Sequence, residues 1–154
     1  MKKAILFLSL FASVFVFSGN VFAQKQIDQK VQRDPVLEAD ALHNLDVARQ
    51  YFRIKKAYKA VIMRTEEIMA ANPDFSKADE VLYLSGMSSY YLSQNKGNQK
   101  IDLKKATNDE KAKYAPEKLR DDAIGYLSTL VQKYPSSAFK DDAEKTLKEI
   151  GNGK

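Results

Sequence analysis

The 154-residue sequence contains no cysteine, no tryptophan and only one histidine. The lack of cysteine excludes thiolate zinc sites, iron–sulfur clusters, disulfides and a lipid-modified cysteine within these residues. The six glycines are scattered and form no phosphate-binding loop. No serine stands in the glycine-flanked turn of a hydrolase nucleophile. These absences remove metal, thiol and nucleotide chemistry from the functions considered.

The remaining polar residues do not form a catalytic constellation. His43 has no second ligand and no evident nucleophile to activate, so we interpret it as a surface residue or one that lines a groove. Three carboxylate pairs are sequence neighbours, and neighbours on a helix point about 100° apart, which makes them poor acid–base dyads. They are Glu66–Glu67, Asp121–Asp122 and Asp141–Asp142. We therefore predict a protein that is not an enzyme and binds no cofactor or metal.

The N-terminus has the order of a secretory signal peptide. A short positive segment, Met1–Lys3, precedes an apolar run over residues 4–17, and Val21 and Ala23 are small or modest residues at the −3 and −1 positions of a cleavage site. We predict a signal peptide over residues 1–23, a flexible leader over residues 24–34 and export from the cytoplasm. An uncleaved anchor is the alternative, although the apolar run is shorter than the roughly 20 residues of a spanning helix.

Residues 35–151 are predicted to form an all-α domain of about five helices in antiparallel hairpins. Asp34–Pro35 is a helix-start signal, with a capping side chain followed by proline at the first helical position. Beyond it, apolar residues recur every three or four positions. Gly86 falls inside the third helix, where glycine costs about 1 kcal/mol, so two closely packed helices are expected there. The stripes include Leu37, Ala41, Leu45, Ala48 and Phe52 in the first helix and Leu119, Ala123, Tyr126, Leu127 and Leu130 in the fourth.

Two of the predicted hairpins end at a proline turn, which is typical of tetratricopeptide repeats. Pro73 and Pro135 close amphipathic helices but stand 62 positions apart, whereas the repeat has a period of 34. The extra residues coincide with a polar segment after Ser93. We predict a right-handed tetratricopeptide-like solenoid with a basic insertion at about residues 94–118.

The block from Ala57 to Leu92 carries a specific resemblance. This block resembles the tetratricopeptide lipoproteins of the outer-membrane β-barrel assembly machinery. The residues that carry the resemblance are 57–64, 66–68 and 79–83, together with Pro73–Asp74 and Gly86. The segment Lys133–Ser137 is similar to the close of a later repeat in that family. The resemblance implies a periplasmic or outer-membrane-associated scaffold whose partners are envelope proteins, including outer-membrane assembly components. The lipid-bearing cysteine of that family is missing here, and the chain has room for fewer repeats.

The first helices of tetratricopeptide hairpins line a concave face. In this register, residues spaced three or four apart on the first and third helices share that face. Charged, aromatic and methionine side chains of this kind suit a groove for protein segments. Packing of Tyr83, Met87 and Tyr90 against the insertion or the last helix is the alternative. The predicted partner-binding residues are His43, Asp46, Gln50 and Arg53, with Glu80, Tyr83, Met87 and Tyr90.

The insertion supplies a second candidate surface. Residues 96–120 hold eight Lys and Arg against four acids. Such a segment could hold anionic lipid headgroups, an acidic partner or a cell-wall polymer, or it could be a solvated loop. Nucleic acid is not expected, because no aromatic residues alternate with the lysines and the chain is exported. The predicted basic patch comprises Lys96, Lys100, Lys104, Lys105, Lys111 and Lys113.

Overall fold

A computed structural model describes residues 33–152. The predicted signal peptide and most of the predicted leader lie outside these residues. The described chain is all-α, as predicted. Its helices are α1 (Pro35–Gln50), which continues into a π-helical turn (Tyr51–Lys55), α2 (Tyr58–Ala71), α3 (Ala78–Ser93), α4 (Asn108–Lys113), α5 (Pro116–Lys133) and α6 (Lys140–Asn152). None of the helices in this part of the chain is both long and apolar enough to cross a membrane.

Helix α1 begins where the Asp34–Pro35 pair predicts. The Asp34 carboxylate accepts hydrogen bonds from the backbone N–H groups of Val36 and Leu37 at 2.8 and 3.4 Å, which satisfies donors that lack partners in the first turn. The helix ends in the wider π turn, and Lys56 then takes a left-handed conformation with φ 48°. Because Lys56 ends the helix in this way, α2 begins shortly after the π turn and runs back along α1.

The helices form two hairpins and an additional helix. Helices α1 and α2 make the first hairpin, α3 and α5 make the second, and α6 packs on α5. Helix α3 also packs on α1, α2 and α6. Helices α1, α3 and α6 therefore lie side by side in one layer, with α2 and α5 on the other side of α3. This is the arrangement of stacked tetratricopeptide hairpins.

Helices α3 and α5 pack closely together, as Gly86 predicts. A Cβ atom added at Gly86 would lie 2.6 Å from the Cγ of Leu127. Ser85, Ser88 and Ser89 are also buried on α3. The missing side chain at Gly86 lets α3 and α5 approach closely, so the mid-helix glycine has the packing reason that its position predicts.

The insertion occupies residues 94–115, because α5 begins at Pro116. It contains a sixth helix, α4, in addition to the five that the apolar stripes predict. Thr107 and Glu110 form a capping box at its start, in which each side chain bonds the other residue's backbone N–H. Tyr114 anchors the segment in a buried cluster with Tyr58, Ile62, Leu92 and Leu119. The insertion is therefore packed onto both hairpins.

Candidate partner-binding surface

Helices α3 and α6 face each other in matched register. The Tyr83 hydroxyl donates to the Asp142 carboxylate at 3.4 Å, and the Tyr90 hydroxyl donates to the Glu149 carboxylate at the same distance. Between them the Thr146 hydroxyl oxygen lies 3.5 Å from the Met87 sulfur. All three pairs are separated by 59 positions. Such a constant offset requires the two helices to run in the same direction, as first helices of successive hairpins do.

These side chains line a cleft of about 230 Å³ that we call the tyrosine cleft. It is lined by Tyr83, Met87, Tyr90, Tyr91, Lys96, Asp142, Lys145, Thr146 and Glu149. The aromatic rings provide apolar area, and the lysines and carboxylates provide charge of both signs. Such a lining can accept an extended peptide or a side chain with one polar end.

Packing and charge around Tyr83 alter its acidity. Its ring stacks on Phe139 with centroids 4.7 Å apart and planes 20° apart. Burial raises the pKa of Tyr83 to about 12, the nearby Asp142 carboxylate adds to the increase, and Arg53 opposes it. Burial also raises the pKa of Tyr91, with further contributions from Glu149, Tyr90 and Asp142. These hydroxyls remain neutral donors at physiological pH. Arg53 lies in the π turn that follows α1.

A carboxylate–guanidinium pair links α1 to α3. Arg49 donates from Nε and Nη2 to the two oxygens of Glu80 at 2.6 and 2.5 Å, and from Nη1 to Asp46 at 2.6 Å. Glu80 is buried and Arg49 is partly buried. Hydrogen bonding to Glu80 is the main cause that raises the pKa of Arg49 above its ordinary value. The bidentate geometry fixes the position of the two helices relative to each other.

The eight predicted partner-binding residues therefore have different environments. Glu80 and Met87 are buried, and Tyr83 and Tyr90 are partly buried with their hydroxyls toward α6. The four residues from α1 and its π turn are exposed: His43, Asp46, Gln50 and Arg53. No binding measurement tests this set, so it stays a prediction, and its accessible part consists of these four residues and the rims of the two tyrosines.

Sequence reasoning missed the contribution of α6. Asp142, Thr146 and Glu149 are spaced four and three apart, as are Tyr83, Met87 and Tyr90. That shared spacing is the available signal. It cannot be used without knowing that α3 and α6 are adjacent, because the two helices are far apart in sequence.

The predicted basic patch is divided by the fold. Lys113 pairs with Glu66 of α2 at 2.6 Å, and its ammonium lies 5.6 Å from the Tyr114 ring centroid. Hydrogen bonding to Glu66 is the main cause that raises its pKa. Lys96, Lys100, Lys104 and Lys105 are exposed in the loop before α4. These four share one segment, whereas Lys111 and Lys113 lie on α4.

No group of three or more potential metal ligands occurs among residues 33–152. A second cavity, of about 210 Å³, opens between α2, α5 and the start of α3. It is mainly apolar, with Ile68, Met69, Phe75, Val81 and Leu82 among its lining residues. It lies at the Pro73 turn, outside the α1–α3–α6 layer.

Comparison with models of protein families shows which family the chain belongs to. The family model YfiO, described as "Outer membrane lipoprotein", matches residues 22–153. The chain belongs to the YfiO family. The match covers both hairpins, the insertion and α6, and it agrees with the tetratricopeptide-like packing. Comparisons with curated proteins and with solved structures gave no match.

Membership of the YfiO family makes this an exported protein of the periplasm or the outer membrane. It confirms the resemblance on which the sequence analysis relied. The family description also fits a scaffold role and a protein that interacts with other envelope proteins. The 154 residues contain no cysteine, so none of them can carry the thioether-linked lipid of a lipoprotein.

Proposed function

We propose that this YfiO-family protein is a non-enzymatic scaffold that binds segments of envelope proteins along the α1–α3–α6 layer during outer-membrane protein assembly. The observation that carries the proposal is the tyrosine cleft, an opening of about 230 Å³ between two parallel helices of the layer. It combines aromatic area with hydroxyl and charged groups, the composition of surfaces that bind peptides.

Neighbouring side chains extend the cleft along the layer. Arg53 is exposed in the π turn that follows α1, and its charge lowers the pKa of Tyr83. Gln50 and Asp46 follow on exposed positions of α1. A bound segment that enters the cleft between α3 and α6 can therefore continue over α3 toward α1. The pair between Arg49 and Glu80 supports this route by holding α1 against α3.

The rigidity of the layer also supports binding. Tyr83 is stacked on Phe139, and Tyr90 lies with its ring centroid 6.0 Å from that of Tyr91. Aromatic side chains held in place lose little conformational entropy when a partner binds. We expect the cleft to recognise a partner without large rearrangement of its helices.

Site-specific crosslinking in living cells tests the proposal. A photoreactive amino acid replaces Gln50 or Lys145, which are exposed on α1 and α6, and captured proteins are identified by mass spectrometry. Matched controls carry the same group at Glu67 on α2 or Lys133 on α5, which are exposed on the other side of the fold. We expect subunits of the assembly machinery or unfolded outer-membrane proteins at the first two positions and not at the controls.

Two results would contradict the proposal. One is capture of the same proteins with equal yield at all four positions, which would indicate diffuse contact. The other is capture only of cell-wall enzymes at Gln50 and Lys145. Substitution of Tyr90 by Ala in the crosslinking protein sharpens the test. It should reduce capture at Lys145 while circular dichroism and thermal unfolding show an intact fold.

A further inference from the structure

One end of the molecule collects basic side chains from two separate segments. The first is residues 53–59, which cover the end of the π turn and the start of α2, and the second is residues 96–105 of the insertion. We call this surface the basic end. Together the segments contain eight positive side chains and one carboxylate, Asp102, a net charge of +7. The positive residues are Arg53, Lys55, Lys56, Lys59, Lys96, Lys100, Lys104 and Lys105.

Hydrogen bonds to the backbone join the two segments. The Asn98 N–H donates to the Lys56 carbonyl at 2.9 Å, and the Asn98 side-chain amide donates to the Lys55 carbonyl at 2.7 Å. The Gln99 side chain accepts from the Ala60 N–H at 2.9 Å. Gly97 has a φ of +95°, and a Cβ atom added to it would lie 2.5 Å from the Lys56 carbonyl oxygen, so only glycine fits at this contact. The contacts hold the lysines of the insertion beside those of the first hairpin.

Most of the positive charge at this end is not neutralised by nearby carboxylates. Lys59 pairs with Glu110 at 2.8 Å, and Lys105 is 3.9 Å from Asp102. Within residues 33–152, the other six positive side chains have no carboxylate at ion-pairing distance. Lys55 and Lys96 lie over the rings of Tyr51 and Tyr91, which leaves their charges in place. The rest of residues 33–152 carries a net charge of −6, so the molecule is strongly polarised.

The basic end also presents an apolar side chain to solvent. Ile54 stands between Arg53 and Lys55 and is 78% exposed, the highest value among the exposed large hydrophobic residues described. An exposed isoleucine adds nothing to a purely electrostatic contact with a soluble polymer. At a bilayer surface it contributes, because an aliphatic group can insert below the headgroups while lysines contact the phosphates.

We propose that the basic end is a docking surface for an anionic phospholipid bilayer, with Ile54 inserted among the headgroups. Its lysines supply the long-range attraction, and Ile54 supplies a short-range apolar contact. Such a contact would hold the protein at a membrane face without a lipid-modified residue. It shares Arg53 and Lys96 with the proposed partner surface, and its other residues lie outside that surface, so variants at those other residues test it separately from the proposed scaffold function.

Vesicle binding tests this proposal. The full-length gene is expressed in a host with two membranes, and the exported protein is purified in the form that the cell produces. Co-sedimentation is measured with phosphatidylcholine vesicles and with vesicles that contain about 30% phosphatidylglycerol. We expect binding to the anionic vesicles alone, with a large decrease between about 0.05 and 0.5 M NaCl because exposed charges are screened.

Matched charge variants locate the contact. The test variant carries Lys55→Gln, Lys56→Gln, Lys100→Gln and Lys104→Gln, which are exposed positions outside the partner-binding set. The control removes the same charge elsewhere, through Lys77→Gln, Arg120→Gln, Lys133→Gln and Lys148→Gln, all at exposed positions. Each basic residue near an anionic surface contributes about a fivefold factor in binding. The test variant should therefore lose roughly a hundredfold or more in affinity, and the control should lose much less.

The variant Ile54→Ser separates a bilayer from other polyanions. It keeps every charge, so it should weaken vesicle binding about tenfold through loss of apolar contact while leaving binding to a soluble anionic polymer unchanged. Absence of binding to anionic vesicles would overturn the proposal, as would equal losses in the two charge variants. Wild-type binding to purified cell-wall polymer but not to vesicles would assign the basic end to that polymer instead. Crosslinking at Gln50 and Lys145 reports on the scaffold function separately.

Discussion

The two sides of α3 are built from different residues for different purposes. Toward α5 the helix presents Gly86, where a Cβ would lie 2.6 Å from Leu127. Toward α6 it presents Tyr83, Met87 and Tyr90, whose partners are polar groups at 3.4–3.5 Å. The first side is close-packed, and the second leaves a cleft of about 230 Å³.

The difference shows how one helix can stabilise a repeat and still offer a surface. Small residues let two backbones approach, so dispersion and burial stabilise the α3–α5 contact. Large amphipathic residues hold α6 farther away through their polar ends, which leaves space between the helices. Substitutions on the α5 side should therefore change folding, whereas substitutions on the α6 side should mainly change binding.

The largest expected effect comes from filling the space at Gly86. Gly86→Ala should lower the free energy of unfolding by about 2 kcal/mol, because the added methyl group overlaps Leu127. The same substitution at Gly125 of α5 is a matched control, since a Cβ atom added there would have no neighbour within 4 Å. Gly125→Ala should raise the free energy of unfolding by about 0.5–1 kcal/mol through helix propensity. Urea unfolding measures both, and equal signs would contradict the comparison.

Removing the Tyr83 ring should reduce partner binding while the protein stays folded. Tyr83→Ala loses the stack on Phe139 and part of the cleft wall, which we expect to cost about 1.5 kcal/mol of folding free energy. Capture of partner proteins through Lys145 should fall at least severalfold in the folded variant. Global unfolding at 25 °C would instead show that Tyr83 belongs to the core and that the α6 side serves folding as well.

Substitution of Ser88, which is buried on α3, should have a smaller effect of opposite sign on the free energy of unfolding. Its hydroxyl is buried with no hydrogen-bond partner among the residues that the structure describes. Ser88→Ala removes this unsatisfied group and should raise the free energy of unfolding by up to about 1 kcal/mol. A loss of stability in denaturant unfolding would show that the hydroxyl is bonded in solution. Thr146, buried but hydrogen-bonded to the Asp142 carbonyl at 2.9 Å, is the comparison site.

The smallest effect at neutral pH is expected for Tyr83→Phe, because it removes only a hydrogen bond of 3.4 Å. We expect a change within about 0.5 kcal/mol at pH 7. At alkaline pH the variants should diverge. The raised pKa of about 12 means that the folded wild type keeps its phenolic proton while the unfolded chain ionises from about pH 10. Between about pH 10 and 12, the free energy of unfolding of the wild type should therefore fall relative to that of Tyr83→Phe. If the two proteins lost stability in parallel over this pH range, the raised pKa of Tyr83 would be contradicted.

Most of the helices can be predicted because their signals are local. Asp34–Pro35 starts α1, Pro116 starts α5, and Gly86 announces a close helix contact. Helix α4 escapes prediction because its six residues are too short for an apolar stripe, even though Thr107 and Glu110 form a visible capping box. The insertion reads as a polar segment in the sequence, and the bonds that dock it on the first hairpin join residues about 40 positions apart.

The candidate surface is only partly predictable for the same reason. The spacing of Tyr83, Met87 and Tyr90 identifies one wall, but the opposite wall belongs to α6. From this spacing the sequence predicts Glu80 on an open face. In the structure Glu80 is buried beside Arg49, which donates to both of its carboxylate oxygens, and no local pattern reveals this pair. Helical periodicity indicates which residues share a face and does not indicate what covers that face.

The amino-acid sequence by itself determined the all-α class, the repeat pattern, the family and the exclusion of thiolate chemistry. These properties depend on composition and on patterns within a helix or a turn, where each residue interacts with neighbours three or four positions away. The tertiary structure decided that α6 closes the tyrosine cleft and that the insertion joins the first hairpin in one basic end. Both depend on contacts between distant segments, whose geometry is set by the packing of the whole domain.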